Sequence, residues 1–286
     1  MNMLARNGDQ NNFPLDSTFL WINNCLMQIL QQAMVWLDAD KDSSRDFVAL
    51  LITIVGSVAT LIGLELIGKL LPEKVRRKLV HIFMGPVYLL FWNLFEGNSL
   101  KSRVICALVP GFLTFYFVLL GLGIAKNELL VRTLSRSGDP KEILKGPTIY
   151  GLVFVLSTVL FWRNDPKAIV SLMILCGGDG FADIIGRSYG DSFRFSNSKS
   201  LVGSLGMFLG GFIFSFIYLR YFEVNGILSF STFDNVTQLF IINLICTVIE
   251  AVSSEGPKKT KLVQIYGEDN VTVSVAACIL SMILFK

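Results

Sequence analysis

Eight long apolar runs constrain the fold of this chain more than any other feature. They cover residues 47–71, 79–95, 104–125, 147–163, 168–185, 201–222, 236–252 and 271–285. A helix of about 20 apolar residues crosses the roughly 30 Å hydrocarbon core of a bilayer. We therefore predict an all-α, polytopic integral membrane protein with seven or eight transmembrane helices. The runs 147–163, 168–185 and 271–285 are short or carry acids, so a tilted, re-entrant or broken helix is the alternative for each.

Composition supports this fold class and argues against others. Of 286 residues, 52% are hydrophobic and 16% are charged, which is more apolar surface than one soluble core can hide. The 25 basic and 22 acidic residues balance too evenly for a nucleic-acid-binding protein. The five cysteines are scattered through mostly apolar sequence, so neither a disulfide framework nor a paired zinc site is expected.

The distribution of basic residues predicts the membrane orientation. Loops 72–78, 126–146, 186–200 and 253–270 hold 15 lysines and arginines, whereas the intervening loops hold 4. Short loops retained on the cytoplasmic or equivalent side are enriched in these residues. We therefore expect the polar motifs, which lie in or beside the basic loops, to share one membrane face.

The first 46 residues differ from the rest, so we divide the chain into an N-terminal segment, 1–46, and a transmembrane domain, 47–286. The segment carries six aspartates against three basic residues, which is typical neither of a signal peptide nor of an organellar transit peptide. Within it, one predicted helix has opposed polar and apolar sides, and it would lie along the interface or pack on the bundle. The polar side holds Asn24, Gln28, Gln31 and Gln32, and the apolar side holds Ile22, Leu26, Ile29, Ala33 and Leu37.

The densest polar motif is GGDGFADIIGRSYG, residues 177–190. Asp179 and Asp183 are four residues apart and share one helical face, where two carboxylates can bind a hard cation such as Mg²⁺. Gly178 and Gly180 would let the backbone approach a phosphate ligand.

Arg187 follows Asp183 by one turn and would complete a magnesium and phosphate site. In the alternative interpretation, Asp183 and Arg187 form a local ion pair and the glycines only pack helices tightly. That alternative leaves Asp179 without a partner beside lipid, so we favour the functional interpretation.

Two further motifs carry cations on the same predicted face. Lys199 and Ser200 precede a long apolar run, where Ser200 either caps the helix or joins Lys199 and Gly203 in an anion site. In EKVRRKLVHI, residues 73–82, Arg77 and Lys78 share a helical face with His81. They either anchor the helix at the membrane surface or bind phosphate.

His81 is either structural or involved in proton transfer. Among the remaining acids, Glu250 closes the seventh run, while Asp269 and Asn270 open the eighth. Glu250 or Asp269 would complete the metal site, although Asp269 is also a candidate helix cap. For Glu65, an ion pair with Lys69 four residues later is the favoured interpretation.

Taken in order, the motifs resemble the phytol and farnesol kinase branch of the membrane polyprenol kinase family. The resemblance covers most of residues 72–280 and none of the first 46. It is carried by RRKLVHI, KNELLVRTLSRSGDPKEILKGP, VLFWRNDP, CGGDGFADIIGRSYG, NSKSLVGSLGMFLGGF and EDNVTV. Dolichol kinases and cytidylyltransferases tend to have a glutamate where this chain has Val202, which favours the phytol and farnesol branch.

The resemblance implies a Mg²⁺-dependent kinase that uses CTP to phosphorylate phytol, farnesol or geranylgeraniol. The alcohol would come from the bilayer and the nucleotide from water. The implied location is a chloroplast membrane, with the endoplasmic reticulum as the alternative. In this interpretation Asp179 and Asp183 hold the metal, and four cations neutralise phosphate oxygens. These cations are Arg77, Lys78, Arg187 and Lys199.

Three rival functions stay open at this point. A cytidylyltransferase would transfer CMP to a lipid phosphate and release pyrophosphate. A transporter would place charges along several spans, and this chain shows neither that arrangement nor an inverted repeat. A non-catalytic scaffold would bind no nucleotide.

Overall fold

The computed structural model describes residues 15–36, 45–135, 137–195, 199–253 and 269–285. Within these ranges the chain is all-helical, as predicted, with one isolated β-bridge between Arg194 and Ser200. The α-helices are α1 (Asp16–Trp36), α2 (Arg45–Gly68), α3 (Glu73–Leu90), α4 (Leu100–Gly121), α5 (Glu128–Leu134), α6 (Gly146–Leu160), α7 (Pro166–Met173), α8 (Asp179–Tyr189), α9 (Leu201–Val224), α10 (Val236–Ser253) and α11 (Asp269–Leu284). Short 3₁₀ turns lie at Phe91–Leu94, Pro140–Leu144 and Gly190–Phe193, and a π-helical turn lies at Ile174–Gly178.

Each of the eight apolar runs corresponds to a helix, but not every helix meets the requirements for a span. In the described ranges five helical stretches are long and apolar enough to cross a membrane. They are Arg45–Gly68, Leu100–Gly121, Pro140–Leu160, Pro166–Tyr189 and Leu201–Val224. The apolar helices Val236–Val252 and Val271–Leu284 are shorter. The membrane class of the fold is therefore supported, whereas the count of seven or eight spans stays a prediction.

The stretch Pro166–Tyr189 is the centre of the bundle. Of its most apolar part, 67% is buried inside the protein, against 22–33% for the other four candidate spans. Its α7 and α8 parts are joined through the π-helical turn, where the N–H of Asp179 bonds to the carbonyl of Ile174 five residues earlier. The run 168–185, for which a tilted, re-entrant or broken helix was the alternative, is thus helical throughout, with its irregular turn directly before the first aspartate. Such turns occur frequently at functional sites.

Glycines bring this central stretch against α9. A Cβ atom on Gly177 would lie 2.7 Å from the carbonyl oxygen of Gly210, and one on Gly186 would lie 3.3 Å from the Cα of Gly203. Residue numbers rise along α9 as they fall along α8, so the two helices run antiparallel. Because of this, the C-terminal end of α8 lies beside the N-terminal end of α9.

The N-terminal helix α1 packs on the bundle. Phe19 and Leu30 are buried, and Asp16 forms an ion pair with Arg220 of α9. Asn24, Gln28, Gln31 and Gln32 are exposed, as their predicted polar side requires. Ile29, on the predicted apolar side, is 50% exposed. Leu37 lies outside the described residues, and the interfacial location of α1 stays a prediction.

The five cysteines form no disulfide, in agreement with the sequence analysis. Cys106, Cys176 and Cys246 are buried. They occupy packed positions inside the bundle, where a small apolar side chain fits.

Candidate active site

Four ionisable side chains from α3 and α8 meet near one end of the bundle. The ammonium nitrogen of Lys78 lies 2.8 Å from Oδ2 of Asp179 and 3.9 Å from Oδ2 of Asp183. The Nε2 atom of His81 lies 3.0 Å from the same Oδ2 of Asp179. Lys78 and His81 are three residues apart on α3 and present one face to α8, as their spacing predicted. The two acidic and two basic groups thus form a single cluster.

The objection to the alternative interpretation, that it leaves Asp179 without a partner, does not hold in the structure. Asp179 does have partners, but they are on α3 and about 100 residues away in sequence. The local pair between Asp183 and Arg187 does form, with guanidinium-to-carboxylate distances of 2.7 Å. Arg187 is half-exposed at 47% of its side chain, so it can also contact a ligand arriving from water.

The neighbours of His81 determine which of its ring nitrogens carries a proton. Nε2 faces the carboxylate of Asp179 and, at 3.1 Å, the backbone carbonyl of Leu175 in the π-helical turn. Both are acceptors at neutral pH, so Nε2 must carry the hydrogen. His81 therefore orients the carboxylate of Asp179.

The glycines of the motif serve helix packing. A Cβ atom on Gly180 would lie 2.1 Å from Cγ1 of Ile82 on α3, and Gly178 faces the carbonyl of Met207 on α9. Gly180 thus allows the close approach of α3 and α8 that brings Lys78 to the aspartates. This is the role that the alternative interpretation gave to these glycines. Their contact with a nucleotide stays a prediction.

A second ionic pair joins Lys199, before α9, to Glu250, near the end of α10. Their side chains are 14% and 7% exposed and form a salt bridge. Ser200 caps α9, because its hydroxyl accepts a bond from the N–H of Gly203 at 3.1 Å. The capping interpretation of Ser200 is therefore correct, and the same bond occupies one of the N–H groups expected to bind an anion.

The remaining predicted residues have more limited roles in the structure. Arg77 is half-buried beside Lys78 on α3. Arg76 donates to the carbonyl of Gly68 at 3.1 Å and thereby caps α2. Glu65 is in none of the ion pairs found among the described residues, so its pairing with Lys69 stays a prediction. The side chains of Asp269 and Asn270 lie outside the described residues.

Sequence reasoning missed Tyr150 of α6. Its hydroxyl donates to the backbone carbonyl of His81 at 2.7 Å and lies 3.1 Å from Sγ of Cys176. Its ring lies against the imidazole of His81, with centroids 4.4 Å apart. A single tyrosine within an apolar run carries no signal of such a contact, since only helix packing brings it to His81.

These observations define an all-helical membrane protein with a cluster of paired acids and cations at one end of its bundle. No family model and no solved structure matches the chain. Among curated proteins, the probable chloroplastic phytol kinase 2 of Oryza sativa subsp. japonica is 39% identical over 214 residues, 74% of this chain and 67% of that protein.

Two relatives from Arabidopsis thaliana extend the comparison. The chloroplastic phytol kinase 1 is 33% identical over 233 residues, which cover 80% of this chain and 73% of the relative. The chloroplastic farnesol kinase is 34% identical over 222 residues, which cover 77% and 69%. The chain therefore belongs to the phytol and farnesol kinase family, which confirms the resemblance noted from its motifs.

Proposed function

We propose that this protein is a kinase of a chloroplast membrane that transfers the terminal phosphate of CTP to an isoprenoid alcohol such as phytol, farnesol or geranylgeraniol. One observation carries the proposal: Lys78, Asp179 and Asp183 converge at one end of an apolar helical bundle. The names of the relatives support the substrate class, and their description as chloroplastic supports the compartment.

The residues of the cluster fit Mg²⁺. Among the described residues, no group of three histidine, cysteine, aspartate or glutamate side chains converges as a ready metal site. Two carboxylates do converge on one positive charge, that of Lys78. Mg²⁺ is usually bound by one or two protein carboxylates together with substrate phosphates and water. Asp179 and Asp183 would hold the ion, which would neutralise charge on the transferred phosphate.

Cations around the aspartates would bind the remaining phosphate oxygens. Lys78 and Arg187 each contact a carboxylate and retain further N–H donors. Lys199, beside the start of α9, would bind the same nucleotide together with Arg77. Phosphoryl transfer depends mainly on such positioning and charge neutralisation, so the site needs no covalent nucleophile.

The position of the cluster suits two substrates of opposite solubility. An isoprenoid alcohol dissolves in the bilayer and keeps its hydroxyl near the interface, whereas a nucleotide arrives from water. Lys78 lies five residues after the start of α3, and Asp183 lies six residues before the end of α8. The cluster is therefore within a few turns of these helix ends and of that boundary. In the reaction the alcohol oxygen bonds to the terminal phosphorus, the bond to the leaving CDP breaks, and the hydroxyl proton passes to a basic group of the site.

The test is a transfer assay with the purified full chain in lipid nanodiscs. Each nucleoside triphosphate, labelled on its terminal phosphate, is paired with each alcohol, with and without Mg²⁺. We expect labelled prenyl monophosphate and CDP, from CTP and only with Mg²⁺. Pyrophosphate release would support the cytidylyltransferase instead, and ion flux without nucleotide turnover would support a transporter.

Two variants sharpen the assay. Asp179→Asn removes a carboxylate of the cluster and should lower turnover at least about 100-fold, the scale of losing one charge-stabilising group. Asp165→Asn is the matched control, because Asp165 also pairs with a lysine at 2.8 Å but caps α7 at the opposite end of the central stretch. Asparagine caps helices as well as aspartate, so the control should keep parental activity.

A further inference from the structure

Tyr150 makes three contacts that all concern the surroundings of His81. Its hydroxyl donates to the carbonyl oxygen of His81, touches the thiol of Cys176 in the π-helical turn, and its ring packs on the imidazole. Phe154, one turn later on α6, supports the ring of Tyr150 with centroids 4.9 Å apart. Tyr150 therefore links α6 to both α3 and the central stretch.

The local sequence makes room for this arrangement. A Cβ atom on Gly85 would lie 2.4 Å from Sγ of Cys176 and 3.1 Å from the hydroxyl of Tyr150. Any other residue at 85 would push the three helices apart. Pro86 follows inside α3 and, having no N–H, cannot bond to the carbonyl of Ile82 four residues earlier. A carbonyl oxygen has two lone pairs, so the carbonyl of His81 can accept the hydroxyl of Tyr150 within the helix.

We propose that Tyr150 is a positioning residue that holds the imidazole of His81 against the carboxylate of Asp179. This inference rests on the proposed kinase function. His81 has rotational freedom about its side-chain bonds, and its Nε2 bond to Asp179 restrains the ring at one edge only. Tyr150 supplies the two missing restraints, one on the ring face and one on the backbone. Tyr150 acts on phosphoryl transfer only through His81.

The chain offers a matched control for the loss of a buried tyrosine hydroxyl. Tyr88 of α3 also contacts a backbone carbonyl and a thiol, both of Cys106, at 3.2 and 3.3 Å. Its third partner is Thr158, about two turns further along α6 than Tyr150. Tyr88→Phe therefore measures the effect of losing a buried tyrosine hydroxyl from the bundle in general. Any larger effect of Tyr150→Phe is specific to the contact with His81.

The first experiment is a kinetic double-mutant cycle. Tyr150→Phe keeps the ring and loses the hydroxyl, and we expect kcat to fall about fivefold to tenfold, the scale of one hydrogen bond, with KM for both substrates nearly unchanged. In the His81→Ala background the same change should have no effect on kcat. Tyr88→Phe should leave kcat at the parental value. Equal effects of Tyr150→Phe with and without His81 would overturn the proposal.

The second experiment needs no activity. His81 is the only histidine in the chain, so isotope-labelled histidine gives a single imidazole signal in the full protein carrying a tag without histidine. We expect Tyr150→Phe and Tyr150→Leu to shift that signal and Tyr88→Phe to leave it in place. An unmoved signal in both Tyr150 variants would refute the positioning role. Failure of the parental protein to phosphorylate any alcohol would instead refute the kinase function.

Discussion

The ammonium group of Lys78 bridges Asp179 and Asp183, at 2.8 and 3.9 Å from their Oδ2 atoms. Lys78 and Asp179 are 101 residues apart in sequence. The positive charge of the motif at 73–82 thus balances the negative charge of the motif at 177–190. The bridge holds the two carboxylates close together at a point where they would otherwise repel each other. A divalent cation bound there would take over the role of the ammonium group, so the metal and Lys78 would compete for the same oxygens.

This competition predicts how the protein responds to Mg²⁺. Lys78→Met removes the cation that the two carboxylates share, while Asp179 keeps His81 and Asp183 keeps Arg187. Breaking such a buried pair costs about 3 kcal/mol. Binding of Mg²⁺ should recover much of that loss, so Mg²⁺ should raise the thermal unfolding temperature of Lys78→Met more than that of the parental protein. Thermal unfolding in detergent, with and without Mg²⁺, measures both the loss of stability and its recovery. The double variant Lys78→Met, Asp179→Asn is the control and should respond weakly. An equal response of all three proteins would contradict the metal assignment.

The contact between Gly180 and Ile82 predicts a steric effect on the site. Gly180→Ala places a methyl group 2.1 Å from Cγ1 of Ile82, which must separate α3 from α8 and cost about 1–3 kcal/mol of stability. Turnover should fall as well, since Lys78 moves away from the aspartates. Adding Ile82→Ala to the Gly180→Ala protein should restore part of the lost stability and part of the lost turnover.

Gly63 provides the comparison for that substitution. It lies inside α2 with nothing within 4 Å of its missing Cβ atom. Gly63→Ala should therefore be neutral or stabilise the protein by up to about 1 kcal/mol. If Gly63→Ala and Gly180→Ala behave alike in unfolding and transfer assays, the packing account of Gly180 is wrong.

The cap formed by Ser200 predicts two separable outcomes. Ser200→Ala removes the bond to the N–H of Gly203 and should cost about 1 kcal/mol of stability. Ser200→Gly removes the same hydroxyl but costs only a few tenths of a kcal/mol, since glycine is tolerated at this position. If the hydroxyl only caps α9, Ser200→Gly keeps its affinity for the nucleotide. A clear rise in KM for CTP in both variants would show that the hydroxyl binds phosphate.

The salt bridge between Lys199 and Glu250 predicts strong coupling. Both side chains are mostly buried, so replacing either one by methionine removes the salt bridge from its buried partner and should destabilise the protein by about 3 kcal/mol. Replacing both should cost less than the sum of the two single effects. Thermal unfolding of the four proteins gives the coupling directly. Additive losses would mean that the two charges are solvated independently.

The sequence by itself determined the membrane class, the approximate positions of the long apolar helices and the face that Lys78 and His81 share, because hydropathy and helical periodicity are local properties. It did not predict α5, which is short and lies in a basic loop. The motif order also determined the family. The sequence did not determine that Lys78 pairs with Asp179, that Gly180 packs on Ile82, or that Tyr150 contacts His81. Those contacts depend on which helices are neighbours and on how far each helix is displaced along its axis relative to the next. Only the tertiary structure decided this, because packing between helices distant in the chain fixes the distances over which charges and hydrogen bonds act.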